Sequence, residues 1–218
     1  MKRLAVLHTV FFLADLFKKR IAERFPKLDC FHVLDESILP DLFQQGGLTP
    51  ALVRRIVTQA VLARDAGAEL ILFTCSSTSP AVDTARALVD VPIIKIDDPM
   101  AARAVTLGER IGLLCTAATT QEPSTRLILE HAARLGRRVQ VTSELESRAF
   151  QAVMSGDRPG HDRLVKAAAR RLSERVEVVV LAQASMAHLA PELNESLPAP
   201  VLASPDLCLE ALAAMLEE

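Results

Sequence analysis

Short unbroken apolar runs alternate along this chain with longer stretches in which apolar residues recur every third or fourth position. The runs suit buried strands, and the stretches suit amphipathic helices. Leu4 to Leu7 is the first run. The helix after it carries Leu13, Leu16, Phe17, Ile21 and Phe25 on one face, with Lys18, Lys19 and Glu23 elsewhere. Asp29 to Leu34 reads as a second strand, and Asp35 to Leu48, broken by Pro40, Gly46 and Gly47, as a loop that could cover a site. Thr49-Pro50 starts a helix with Leu52, Ile56, Ala60 and Ala63 inward, and Gly67 stops it. The apolar run that begins at Leu70 and ends at Cys75 is a third strand, and Pro92 to Ile96 a fourth.

Beyond Asp97-Asp98-Pro99, which opens another helix, the pattern repeats. Arg110 to Leu114 is a strand, followed by a helix to Gly136 and a strand at Val139 to Thr142. A short helix spans Glu146 to Met154, a turn Ser155 to Gly160, and an amphipathic helix His161 to Arg175. Glu177 to Leu181 reads as a strand whose Val178 to Leu181 run has no polar face, as expected of a parallel strand covered on both sides. A last strand near Pro200 to Leu202 precedes a helix opened by Ser204-Pro205-Asp206. This alternation predicts an α/β fold with mainly parallel sheets flanked by helices. No linker rich in Gly, Ser or Pro separates two halves, yet similar strand-loop-helix units in both halves leave room for two compact lobes.

Ligands of such sheets bind beyond the carboxyl ends of the strands. Four loops qualify: His8-Thr9, Cys75 to Thr78, Cys115 to Thr120 and Gln183 to Ser185. In the second, Ser79 suits an N-cap, Pro80 the first helical position and Asp83 the first turn. Cys75 would then face a helix N-terminus, which lowers a thiol's pKa. The alternative, a small apolar residue closing a strand, stands equally at this point.

Composition narrows the chemistry. The chain has 218 residues, 50% hydrophobic and 24% charged, with net charge −2. That is enough apolar material for one domain or two small ones, and nothing in it suggests disorder. No long basic run with interleaved aromatics supports nucleic-acid binding. Cys30, Cys75, Cys115 and Cys208 form no C-x-x-C pair, so zinc-ribbon and thioredoxin-like readings fall away and a reducing, cytoplasmic setting is the default. Met1-Lys2-Arg3 before an apolar run has the look of a signal peptide, but His8, Thr9 and Asp15 interrupt the run. No segment is long and apolar enough to span a bilayer, which leads to the expectation of a soluble protein without a membrane partner. The five histidines are scattered, with no metal-ligand spacing, and His188 reads as a partly exposed helix residue. No nucleotide-binding glycine motif or nucleophile elbow is present. What remains is a thiol among hydroxyls and N–H donors. Such a setting suits a small carboxylate, with the thiolate moving a proton or attacking the substrate.

Thr74-Cys75-Ser76-Ser77 after a buried strand, Gly112-Leu113-Leu114-Cys115-Thr116-Ala117-Ala118-Thr119-Thr120, and Val179-Val180-Leu181-Ala182-Gln183-Ala184-Ser185-Met186-Ala187 together resemble the aspartate/glutamate/hydantoin racemase superfamily. The resemblance implies two similar lobes, each a mainly parallel sheet flanked by helices, with the active site in the cleft between them. It implies a first lobe of residues 1–97 plus 203–218 and a second of 98–202, a cofactor-independent reaction, and a homodimer as one assembly. Family members pass the α-proton between two cysteines, one from each lobe; others decarboxylate arylmalonates or isomerise maleate. Cys75 matches the first cysteine. The family's Leu-Gly-Cys-Ala-Gly-Met-Ala pattern falls on Leu181 to Ala187, putting Gln183 at the second. An amide is no base near neutral pH. Thr9, Ser76, Ser77, Thr116, Thr119, Thr120, Gln183 and Ser185 are the substrate-binding residues so implied, with Cys115 a lesser candidate as second thiol and helix capping the competing role for the threonines. The implied function is proton transfer at the α-carbon of a small carboxylate through Cys75. One-thiol decarboxylation, cis-trans isomerisation and ligand binding without turnover are the alternatives.

Overall fold

The computed structural model describes residues 2–217. The chain divides into two compact units, one running to Ile96 and taking up the chain again from Leu212, the other spanning Asp97–Ala211.

The first unit is built on β1 (Arg3–His8), β2 (Asp29–Leu34), β3 (Leu70–Phe73) and β4 (Ile93–Lys95), all parallel and ordered β2-β1-β3-β4. The two central strands are apolar and buried, whereas edge strand β2 is half-buried. Parallel pairing requires crossovers, supplied by α1 (Phe11–Arg24), α2 (Ile38–Gln44), α3 (Pro50–Asp65) and α4 (Ser79–Arg86). Thr49 caps α3 as its sequence predicts, its hydroxyl oxygen accepting from the Leu52 N–H at 3.4 Å, and Gly67 ends that helix region at φ 88°. Ala5, Leu7, Ile56, Ala60, Ile71 and Phe73 pack into one core with Ala81, Val82 and Ala85 of α4. From the C-terminal segment Leu212 is fully buried, and the Lys2 ammonium donates to the Met215 carbonyl at 2.7 Å.

In the first unit, local expectations change in two places. Residues 35–48 hold helix α2, because Ile38 and Leu42, one turn apart, are both buried, and Pro40 lies in the first turn, where no intrahelical donor is lost. After β3, a 3-10 turn (Ser76–Thr78) comes before α4, so Ser79 is the first residue of that helix and not its cap. The Thr78 hydroxyl donates back to the Cys75 carbonyl at 2.9 Å and tightens this turn.

The second unit has β5 (Arg110–Cys115), β6 (Gln140–Leu145), β7 (Val178–Leu181) and β8 (Val201–Ala203), parallel in the order β6-β5-β7-β8. It is flanked by α5 (Asp98–Leu107), α6 (Ala118–Arg134), α7 (Ser147–Met154), α8 (Arg158–Ser173) and α9 (Ala190–Ser196), and carries most of α10 (Ser204–Glu217). Helix α8 begins three residues before His161: Pro159 sits in its first turn, and the Asp157 carboxylate accepts from the Gly160 N–H at 2.8 Å. The all-apolar β7 has a core on each face. Val179 and Leu181 pack with α8 and α9 residues, and Val178 and Val180 with α5 and α6 residues. The two sheets therefore share one strand order, β1, β2, β3 and β4 corresponding to β5, β6, β7 and β8.

Candidate functional site

Register places the sheet-end residues. In the first unit Leu7 pairs with Phe73, so two residues further on Thr9 adjoins Cys75. In the second Leu114 pairs with Leu181, and Thr116 correspondingly adjoins Gln183. Cys75 and Gln183 thus hold the same place in their respective sheets, each followed by a 3-10 turn, Ser76–Thr78 in one case and Ala184–Leu189 in the other. This correspondence supports the alignment of Gln183 with the second cysteine on backbone grounds alone.

Cys75 is half-buried among Thr9, Ser77 and Thr78, all buried. Burial pushes its thiol pKa up. The neighbouring Thr9 hydroxyl and the Thr78 and Ser77 N–H groups favour the thiolate and pull the other way. The expected lowering by a helix N-terminus is thus overridden: desolvation is the larger effect, and the protonated thiol dominates near neutrality. Ser76, half-buried, opens the turn.

In the second unit the Gln183 carboxamide oxygen accepts from the Thr116 N–H at 2.6 Å, the Thr116 hydroxyl at 2.9 Å and the Ala117 N–H at 3.2 Å. Thr119 and Thr120 lie in the first turn of α6, Thr120 buried and Thr119 half-buried. Ser185 is the second residue of the 3-10 turn and half-buried. Each unit thus gathers its own share of the expected residues: Thr9, Cys75, Ser76 and Ser77 in one, Thr116, Thr119, Thr120, Gln183 and Ser185 in the other. Cys115 is fully buried at the end of β5, and burial, with Asp97 adding, pushes its thiol up to about 12. It is a core residue in place of a second reactive thiol.

Two histidine clusters went unread in the sequence. His8, buried at the end of β1, lies 2.9 Å through Nδ1 from the Thr74 hydroxyl and 2.9 Å through Nε2 from Nδ1 of His32, whose own Nε2 lies 3.6 Å from the Cys30 sulfur. The i, i+2 spacing of Cys30 and His32 puts both on one face of β2, but only the β1–β2 pairing brings His8 to them. In the second unit buried His161 and exposed His188 bond the same oxygen of Asp162, at 2.8 and 3.0 Å. Among the described residues no three His, Cys, Asp or Glu side chains form a set able to hold a metal ion. Among the described residues no helix is long and apolar enough to cross a membrane.

Comparison with known proteins agrees with this geometry. The Asp/Glu/Hydantoin racemase family matches residues 12–212. A glutamate racemase of Gloeobacter violaceus is 30% identical over 193 residues, covering 84% of this chain and 68% of that protein. A glutamate racemase of a Sulfurihydrogenibium species is 28% identical over 109 residues, 49% of this chain and 41% of that one, so the match spans less than half of that relative's length. Among solved structures, glutamate racemase from Bacillus anthracis superposes with a TM-score of 0.77 at 16% identity, covering 99% of this chain and 82% of the other. An aspartate racemase homologue from Pyrococcus horikoshii superposes with a TM-score of 0.72 at 18% identity, covering both chains fully at 100%. These likenesses establish the fold, two four-stranded parallel α/β units, and the family match establishes descent. The chain belongs to the Asp/Glu/hydantoin racemase family.

Proposed function

We propose that this racemase-family enzyme transfers a proton at the α-carbon of a small carboxylate, such as an amino acid, without a cofactor and with Cys75 as the proton-transferring group. The observation that carries the reading is the setting of Cys75, a half-buried thiol at a strand end beside the Thr9 hydroxyl, with two N–H groups favouring its thiolate. In the direction of proton removal, the thiolate sulfur takes the α-hydrogen and the C–H electron pair passes into the substrate carboxylate as an enediolate. In the reverse direction the S–H proton returns to carbon. Hydroxyl and N–H donors at the sheet ends stabilise the charge that builds on the substrate oxygens. The glutamate racemase names of the two sequence relatives make acidic amino acids the first substrates to try. A reducing, cytoplasmic setting would keep the thiol unoxidised.

A second reading, decarboxylation followed by protonation, is favoured by a specific pair of facts. Gln183 replaces a second thiol, and burial keeps Cys75 protonated, so one acid is available and a second base is not. In that reaction the C–C bond electrons stay on carbon as CO2 leaves, and the Cys75 proton quenches the carbanion.

Incubation of D- and L-glutamate, D- and L-aspartate, hydantoins and malonates in deuterated water separates the two. Deuterium at the α-carbon without CO2 release supports the first, and CO2 release with one deuteron incorporated supports the second. Either activity should fall at least about 1000-fold in Cys75→Ala, as expected when the proton-transferring group is lost. Activity surviving that substitution would sink both.

A further inference from the structure

We propose that Gln183 is a fixed hydrogen-bond donor for an anionic or carbonyl oxygen of the substrate, and that Thr116 is the residue that fixes it. The orientation of an amide is often ambiguous, but here it is decided by its partners. Backbone N–H groups can only donate, and two of them, from Thr116 and Ala117, face the same side-chain atom, which must therefore be the oxygen. The Thr116 hydroxyl gives its proton to that oxygen too, at 2.9 Å. With three donors on Oε1, the –NH2 edge is the only polar edge Gln183 has left. Nε2 has no protein partner among the described residues, and it is absent from the buried unpartnered atoms, so it reaches solvent.

Three consequences distinguish this arrangement from a second thiol. The second unit presents a donor at this position and no proton acceptor. Bonds received on Oε1 polarise the amide and strengthen what Nε2–H gives. Thr116, only 1% exposed, spends its proton on Gln183 and acts on substrate through it, as a positioning residue. The first unit places Thr9 beside Cys75 at the same register, but there the threonine hydroxyl is buried without a hydrogen-bond partner.

The ligand class rests on the function proposed above. The test uses the 15N-labelled full chain, with the Gln183 side-chain amide assigned by its loss in Gln183→Ala. Titration with acetate, D-glutamate or L-glutamate should shift the Gln183 –NH2 resonances saturably. Gln183→Glu keeps an oxygen for the Thr116 and Ala117 N–H groups but replaces the donor edge, and should weaken binding roughly 10-fold or more, the effect of one hydrogen bond to a charged group. Thr116→Val, which keeps both N–H donors but loses the hydroxyl, should move the –NH2 pair part of the way towards the shifts of a free glutamine, and Thr116→Ser should restore the native pattern. The proposal is overturned if none of the three ligands moves the Gln183 amide, or if Gln183→Glu binds as tightly as the native chain. Loss of α-carbon exchange in every substrate with the amide shifts intact would remove the proposed function and leave this inference standing.

Discussion

The hydroxyl of Thr74 donates to the Leu7 carbonyl at 3.2 Å, and this single bond sets the proton positions of three neighbours. Thr74 can then only accept from His8, so His8 carries its proton on Nδ1 and offers a bare Nε2 to the Nδ1–H of His32. His32 in turn leaves Nε2 to accept from the Cys30 thiol. Every ring nitrogen is committed while both imidazoles are neutral, and a proton added to His8 forces two donors to face each other. Burial, with the neighbouring His32, lowers the His8 pKa to about 3; burial, then Lys18, lowers that of His32. The unfolded chain takes up these protons near the ordinary histidine value and the native chain does so only at lower pH. Stability is thus complete above about pH 6.5 and falls as pH drops below it, by about 1.4 kcal/mol per pH unit for His8 alone. Urea unfolding at about pH 7 and about pH 5 should show this loss, and His8→Gln should flatten the profile. An unchanged slope in that variant would place the acid sensitivity elsewhere.

Single elements carry a different kind of constraint. Strand β5 passes under helix α8 at Gly112, where an added Cβ would lie 2.7 Å from Cγ of Leu172 and 3.0 Å from Cγ2 of Val176. Leu172 is fully buried in the same core as Val179 and Leu181 and has nowhere to retreat. Gly112→Ala should therefore cost about 1–3 kcal/mol by overpacking, even though alanine suits a strand no worse than glycine. Chemical denaturation reads this directly, and a neutral or stabilising result would show that α8 can shift. Such a contact has no local sequence signature, because the helix that meets Gly112 lies some sixty residues away. Element existence, by contrast, was legible wherever the pattern was long or capped. Thr49-Pro50 opens α3 and the valine run forms β7, as their sequences predict. The exceptions are short pieces. Helix α2 and the 3-10 turn after Cys75 are set by which side chains find a core and by the Thr78 hydroxyl turning back on the strand end.

At the scale of the whole molecule, each unit has its own apolar core, and the chain returns to the first one only at its end. Leu212, the first residue of that returning segment, is fully buried, so Leu212→Ala should destabilise the first unit by about 2–5 kcal/mol. Hydrogen exchange should then quicken in β1 and β3 and leave β5 and β7 unchanged, whereas equal acceleration of all four would show that the units open as one. The sequence by itself determined the α/β alternation, the buried parallel strands, the four polar loops at their carboxyl ends and the family, because hydrophobic period, caps and motif order are local properties of the chain. It also displayed Gln183 at the position that the family resemblance assigns to a second cysteine. What those residues are chemically depends on contacts made once the chain has folded. The rise in the Cys75 pKa comes from burial by distant residues, and the donor role of Gln183 comes from two N–H groups that strand pairing brings to it. Desolvation and cross-strand hydrogen bonds exist only once the sheets have formed, and that is the physical reason the site's chemistry could not be read in advance.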